Sequence, residues 1–128
     1  MARIRIFVVD NSQVFLNAAT RFLAQYPYLE IVGTALSGKE ALQRMRELTA
    51  DLVLIDIIMP EMDGLTTTGI IKEQQDPPCV IIMSMHNVEQ YHAHPCIERA
   101  DGFINKSDFS DKLIPLIHAL FPKQHANT

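Results

Sequence analysis

Five short apolar runs, rich in β-branched residues, punctuate the chain. They are Ile4 to Val9, ending at Asp10; a weaker Glu30 to Ala35; Leu52 to Ile55, ending at Asp56; Val80 to Met83, ending at Ser84; and Gly102 to Asn105, ending at Lys106. The stronger runs are almost continuously apolar rather than alternating, a pattern that suits strands buried on both faces of a parallel sheet. Helical spacing fills the gaps. From Ser12 to Tyr26, Phe15, Ala18, Ala19, Phe22 and Leu23 share a stripe, which Pro27 stops,. Ser37-Gly38-Lys39-Glu40 is a capping box, and Ala41, Leu42, Met45 and Leu48 follow as the inward face,.

A third helix is expected from Gly64 to Gln75, with Leu65, Thr68 and Ile71 inward. Three threonines and Gly69 weaken it, and Pro77-Pro78 ends it,. A fourth is expected from Val88 to Arg99, short or broken at Pro95. The fifth is expected from Asp108 to Phe121, with Leu113, Ile117 and Leu120 inward and its regular part delayed by Pro115,. Five strands alternating with five helices predict a single doubly wound α/β domain. Right-handed crossovers cover both sheet faces with helices, and ligands bind at the carboxyl ends of the strands.

Composition narrows the function classes. With 128 residues, 48% hydrophobic and 20% charged, the chain has material for one core,. Net charge is −4 and no basic tract appears, so the electrostatic footprint of direct nucleic-acid binding is missing,. No apolar run approaches the ~20 residues needed to span a bilayer. The apolar stretch near the start ends at Asp10, too short for a signal-peptide core, so a cytoplasmic chain is expected,. Residues 1–122 read as the domain, and 123–128 as a polar, disordered tail. The two cysteines form no disulfide framework,. His92-Ala93-His94-Pro95-Cys96 invites a zinc reading, but the internal proline and missing fourth ligand weigh against a closed site and for a polar helix with solvent-facing histidines.

The fold rule gathers the strand ends at one edge of the sheet. Asp10-Asn11, Asp56, Ser84 and Lys106 would then converge as two carboxylates, an amide, a hydroxyl and an ammonium. Such oxygens suit a hard divalent cation such as Mg2+. A hydroxyl and an ammonium suit phosphoryl oxygens, and a carboxylate in that setting can become an aspartyl-phosphate.

Over about Ile4 to Leu120 the sequence resembles a bacterial two-component response-regulator receiver domain. The most specific segment is Leu54-Ile55-Asp56-Ile57-Ile58-Met59-Pro60-Glu61-Met62-Asp63-Gly64. Ser84-Met85-His86 resembles the strand-four signature of the subfamily that often carries a helix-turn-helix output domain. Ala100-Asp101-Gly102-Phe103-Ile104-Asn105-Lys106 resembles the fifth-strand signature. The resemblance implies a flavodoxin-like sheet of order 2-1-3-4-5. It implies a phosphoacceptor switch in which Asp56 takes a phosphoryl group from a histidine kinase or phosphotransfer protein. Asp10, Asn11, Asp56 and the Ile58 carbonyl would hold Mg2+, while Ser84 and Lys106 would bind phosphoryl oxygens. Phe103 would be the switch aromatic, Pro60 would stiffen the loop, and Gly64 would allow a turn that other residues resist. Ile58 and His86 would flank the phosphoryl group, with Ile58 shielding it from water. The chain would catalyse only its own phosphorylation and slow dephosphorylation. The face of helix four, strand five and helix five would meet an output domain, a protein target or a second copy.

Three features depart from the pattern. Asn11 stands where a second acid is usual, which lowers the expected Mg2+ affinity. Pro95 and the two histidines alter helix four, and no output domain follows within the 128 residues. Asn11 motivates an alternative, a receiver-like interaction module that acts without phosphorylation. A metal-dependent phosphatase is a third class, disfavoured because Ile58 occupies the place of its leaving-group acid.

Overall fold

The computed structural model describes residues 3–85, 88–91 and 93–122. The expected calls on His86, His92 and the tail 123–128 lie outside them.

Five strands form one parallel sheet: β1 (Ile4–Val9), β2 (Leu29–Ala35), β3 (Leu52–Asp56), β4 (Cys79–Ser84) and β5 (Gly102–Asn105). Their order is β2-β1-β3-β4-β5. Four α-helices connect or follow them: α1 (Gln13–Leu23), α2 (Gly38–Arg44), α3 (Gly64–Lys72) and α4 (Phe109–Leu120). Period-two alternation sorts the strand side chains into two cores. Ile4, Ile6, Val8, Leu52, Leu54, Ile81 and Met83 pack with α1 and α4. Phe7, Val9, Val53, Ile55, Val80 and Ile82 pack on the other face with Ala41, Leu65 and Ile71,. Burial on both faces is what makes the runs continuous in sequence.

Local chemistry fixes the helix starts. The Ser12 and Ser37 hydroxyls accept from the N–H groups of Phe15 and Glu40, at 3.2 and 3.1 Å,. The Glu40 carboxylate reaches back to the Leu36 N–H at 2.7 Å. Threonine tolerates the interior of α3 because Thr67 and Thr68 hydroxyls bond the carbonyls of Asp63 and Gly64 at 2.9 and 2.7 Å,.

Several expectations need correction. The α1 stripe changes at one residue: Leu16 is buried with Ala19 and Leu23, Phe15 and Phe22 pack against the same cluster, and Ala18 is exposed. The helix expected at 88–99 is not an α-helix. Two short 3-10 turns, Val88–Tyr91 and Ile97–Arg99, stand in its place. Pro95 lacks an N–H and its ring obstructs the preceding turn, so the chain closes with bonds to the third residue back, such as His94 N–H to Tyr91 O at 3.0 Å and Ile97 N–H to His94 O at 3.1 Å. The last helix, by contrast, is regular from Phe109 despite Pro115. The lost hydrogen bond costs ~3 kcal/mol. Full burial of Leu113 and Ile117 offsets it at ~1.5–3 kcal/mol each,.

Candidate functional site

Sheet register assembles the site. Val9 lies beside Ile55, so Asp10 and Asp56 leave adjacent strands together. Ser84 lies beside Asn105, which brings Lys106 to the same edge. Asp10 is wholly buried, and Asp56 and Ser84 nearly so. The Lys106 ammonium lies 2.5 Å from Asp10 Oδ2 and 3.5 Å from Asp56 Oδ2. One cation therefore stands between two buried carboxylates.

Each group is held in place. Asp10 Oδ1 accepts the Ser12 N–H at 2.9 Å, and the Lys106 ammonium rests 4.4 Å from the centre of the Phe15 ring,. Asp10 Oδ2 accepts no well-directed hydrogen bond among the described residues. Burial holds the Asp56 carboxyl above the usual carboxylate range, and Asp10 pushes the same way. The Lys106 ammonium and the Ile58 N–H oppose this without cancelling it,.

The loop after Asp56 is tightly built. The Gly64 N–H bonds the Ile57 carbonyl at 2.9 Å. Other residues are resisted at Gly64 for lack of space rather than by a positive φ: a Cβ there would overlap the Asp56 carbonyl. The left-handed residue is Glu61, at φ 68°. It centres a γ-turn closed by the Met62 N–H on the Pro60 carbonyl at 2.8 Å, a strained form,.

Thus Asp10, Asp56, Ser84 and Lys106 converge. Asn11 is exposed beside Asp10. The Ile58 side chain is 52% exposed, and Phe103, at 38%, points away from the core on β5. Sequence reasoning missed Phe15 as the floor beneath Lys106, because a helical phenylalanine carries no sign of its partner. It also missed Ser12 as the donor to Asp10, for which the Asp-x-Ser spacing was a signal.

The zinc reading fares differently. His94 turns toward α3 rather than to solvent, and its Nδ1 accepts the Cys96 N–H at 3.0 Å. Among the described residues, no group of three or more His, Cys, Asp or Glu side chains could hold a metal ion. The two carboxylates of the strand-end site, one with a buried oxygen lacking a directed donor, fit a hard cation that completes its shell with water and a carbonyl,.

Comparison with known proteins agrees with this geometry. The chain is 33% identical over 112 residues to protein-glutamate methylesterase/protein-glutamine glutaminase 2 of Methanosarcina mazei, covering 81% of this chain and 30% of that protein. It spans about a quarter to a half of the length of the curated relatives it matches. Among solved structures, a LuxR-family response regulator from Aurantimonas sp. superposes with TM-score 0.83 at 27% identity, over 93% of this chain and 85% of that one. The CheX-CheY-BeF3-Mg+2 complex from Borrelia burgdorferi matches with TM-score 0.82 at 28% identity, over 94% and 90%. No described helix is long and apolar enough to cross a membrane. Residues 6–118 match the response regulator receiver domain, and the chain belongs to that family.

Proposed function

We propose that the chain is a cytoplasmic phosphoacceptor switch, modified on Asp56 by a histidine kinase or a phosphotransfer protein. The observation that carries this reading is the Lys106 ammonium set between the Asp10 and Asp56 carboxylates, 2.5 and 3.5 Å away. In the step, an Asp56 carboxylate oxygen attacks phosphorus as the phosphorus–nitrogen bond to the donor imidazole breaks. The bonding pair leaves with the imidazole. Lys106 and the Ser84 hydroxyl hold the phosphoryl oxygens, and raised proton affinity makes the Asp56 carboxylate a better nucleophile, once ionised, than an ordinary one,. Asp10, Asp56, Asn11 and the Ile58 carbonyl would hold Mg2+, which supplies positive charge to the transferring oxygens. Phosphorylation then shifts the face built by residues 88–91 and 93–99, β5 and α4 toward its active packing, with Phe103 as its aromatic.

A second reading, an interaction module independent of phosphorylation, is favoured by one observation: Asn11 is uncharged, and Lys106 already balances one of the two carboxylates. Mass spectrometry separates the two. Incubation with acetyl phosphate and Mg2+ is expected to add one phosphoryl mass, mapped to Asp56 and lost in Asp56→Asn, whose fold stays intact. An unmodified parent chain would establish the second reading. A modified Asp56→Asn would move the acceptor elsewhere.

A further inference from the structure

Phe15 enters the site only as the surface on which Lys106 rests, yet its contacts close a circuit through the acceptor edge. Asp10 Oδ1 accepts the Ser12 N–H at 2.9 Å. The Ser12 hydroxyl caps α1 by accepting the Phe15 N–H at 3.2 Å. The Phe15 ring lies under the Lys106 ammonium, its centre 4.4 Å away, and that ammonium returns to Asp10 Oδ2 at 2.5 Å. Both oxygens of one carboxylate therefore lead to the same phenylalanine, one through the backbone and one through the cation.

The ring is also held in orientation. Phe109 meets it edge to face, with centres 5.4 Å apart and planes at 81°, and Phe22 backs Phe109 at 5.6 Å,. Phe109 opens α4, three residues after Lys106. One short stretch of chain thus grips Phe15 twice, by an aromatic ring and by an ammonium. Phe15 itself is only partly buried. Core packing asks for apolar volume at this position; it does not ask for a ring face presented to a charge.

The task of Lys106 gives that face a use. The ammonium stands nearer Asp10 than Asp56, at 2.5 against 3.5 Å. Its pair with Asp10 lacks the direction of a hydrogen bond,. Binding a phosphoryl oxygen on Asp56 requires the ammonium to leave Asp10 without leaving the edge. A cleft lined by Ser12, Phe15, Met85, Asn105 and Ser107 opens beside it, and a lysine ammonium hydrates strongly. Escape into that cleft would surround the charge with water and weaken its hold on phosphoryl oxygens. An aromatic face attracts a cation over a broad area, where a carbonyl would fix it along one direction. The ring therefore retains the ammonium while letting it slide.

We propose that Phe15 is a positioning residue for phosphoryl transfer: its ring face keeps the Lys106 ammonium out of the cleft and guides it from Asp10 to the phosphoryl group on Asp56. The transfer role rests on the reading of Asp56 as acceptor; the hold on the ammonium does not.

Two variants separate the face from the volume. Trifluorophenylalanine placed at position 15 by nonsense suppression keeps the shape of the ring and cancels the negative potential of its face, whereas Phe15→Leu removes the ring. Acylation of Lys106 by sulfosuccinimidyl acetate without phosphodonor, resolved by peptide mass, reads the hold. Lys72, paired with Asp101 at 2.7 Å near the other end of β5, is the internal reference. Fluorination is expected to raise Lys106 acylation about fivefold with Lys72 unchanged, and to slow the gain of phosphoryl mass on Asp56 from acetyl phosphate and Mg2+ by a similar factor. Phe15→Leu is expected to move both readings the same way. Changes in the leucine variant alone would make Phe15 a packing residue and overturn the proposal. Unchanged acylation in both variants overturns the hold. Faster acylation with an unchanged phosphorylation rate overturns the transfer role. An unmodified Asp56 in the parent chain overturns the acceptor reading and the transfer role with it, and the acylation result still decides the hold.

Discussion

Replacing Lys106 by methionine keeps the length of the side chain and its contact with Phe15, but removes the charge. At an effective dielectric of ~20, unit charges 3.5 Å apart attract by about 5 kcal/mol, and the closer Asp10 partner is attracted more strongly,. Without the ammonium, two buried carboxylates face each other. The folded protein escapes by binding a proton. An ordinary aspartate titrates near ~3.9, so holding one proton at pH 7 costs about 4 kcal/mol, which caps the loss. The folded state then carries a proton that the unfolded chain lacks. Stability therefore falls as pH rises above the unfolded carboxyl value, by about 1.4 kcal/mol per unit. At pH 5 the loss shrinks to about 1.5 kcal/mol. In the parent, burial already holds the Asp56 carboxyl high, so the same trend is present but weaker. Urea unfolding of both proteins in chelator at pH 5, 6 and 7 reads the difference directly. A loss below about 1 kcal/mol at pH 7, or one independent of pH, would refute the bridging role and leave Lys106 as a packing residue on Phe15.

Three other outcomes follow from the site. Asn11→Asp restores a second charge beside Asp10 and is expected to tighten Mg2+ binding about tenfold, measured by calorimetry; unchanged affinity would place that side chain away from the ion. Ile58→Asn, at the exposed position two residues after the acceptor, is expected to shorten the lifetime of the aspartyl-phosphate by admitting and orienting water,. Decay followed after donor removal checks it, and equal rates would clear Ile58 of that role. Glu61→Gly removes the side-chain penalty of a left-handed residue and is expected to stabilise the chain by about 0.5–1 kcal/mol in thermal or urea unfolding,. A destabilised variant would mean that the Glu61 side chain itself supports the loop.

The strands were legible because both faces of the sheet are covered, leaving runs such as Leu52 to Ile55 without polar interruption. The strand-end chemistry followed from fold topology, since Asp10, Asp56, Ser84 and Lys106 each close a run. What stayed hidden depended on distances that register sets. Nothing in the sequence says that Lys106 stands nearer Asp10 than Asp56. Leu16 was passed over because Ala18 fits almost the same helical stripe. Glu61 gives no sign of its backbone conformation, a state usually signalled by glycine or asparagine. Pro95 announced a broken helix, but the partners of His94, Cys96 and Arg99 lie 26 to 31 residues earlier, beyond any local pattern.

Among the described residues the two half-cores share no side chain, since each strand residue is committed to one face. The sheet thereby works as a partition. Substitutions beneath α1 and α4 should combine additively with those beneath α2 and α3, because distant sites without common partners rarely couple. At the polar edge, Asp10, Asp56 and Lys106 meet where the compartments end. Docking surfaces on the two flanks are therefore free to diverge independently across evolution, each constrained by the same few charges at the rim.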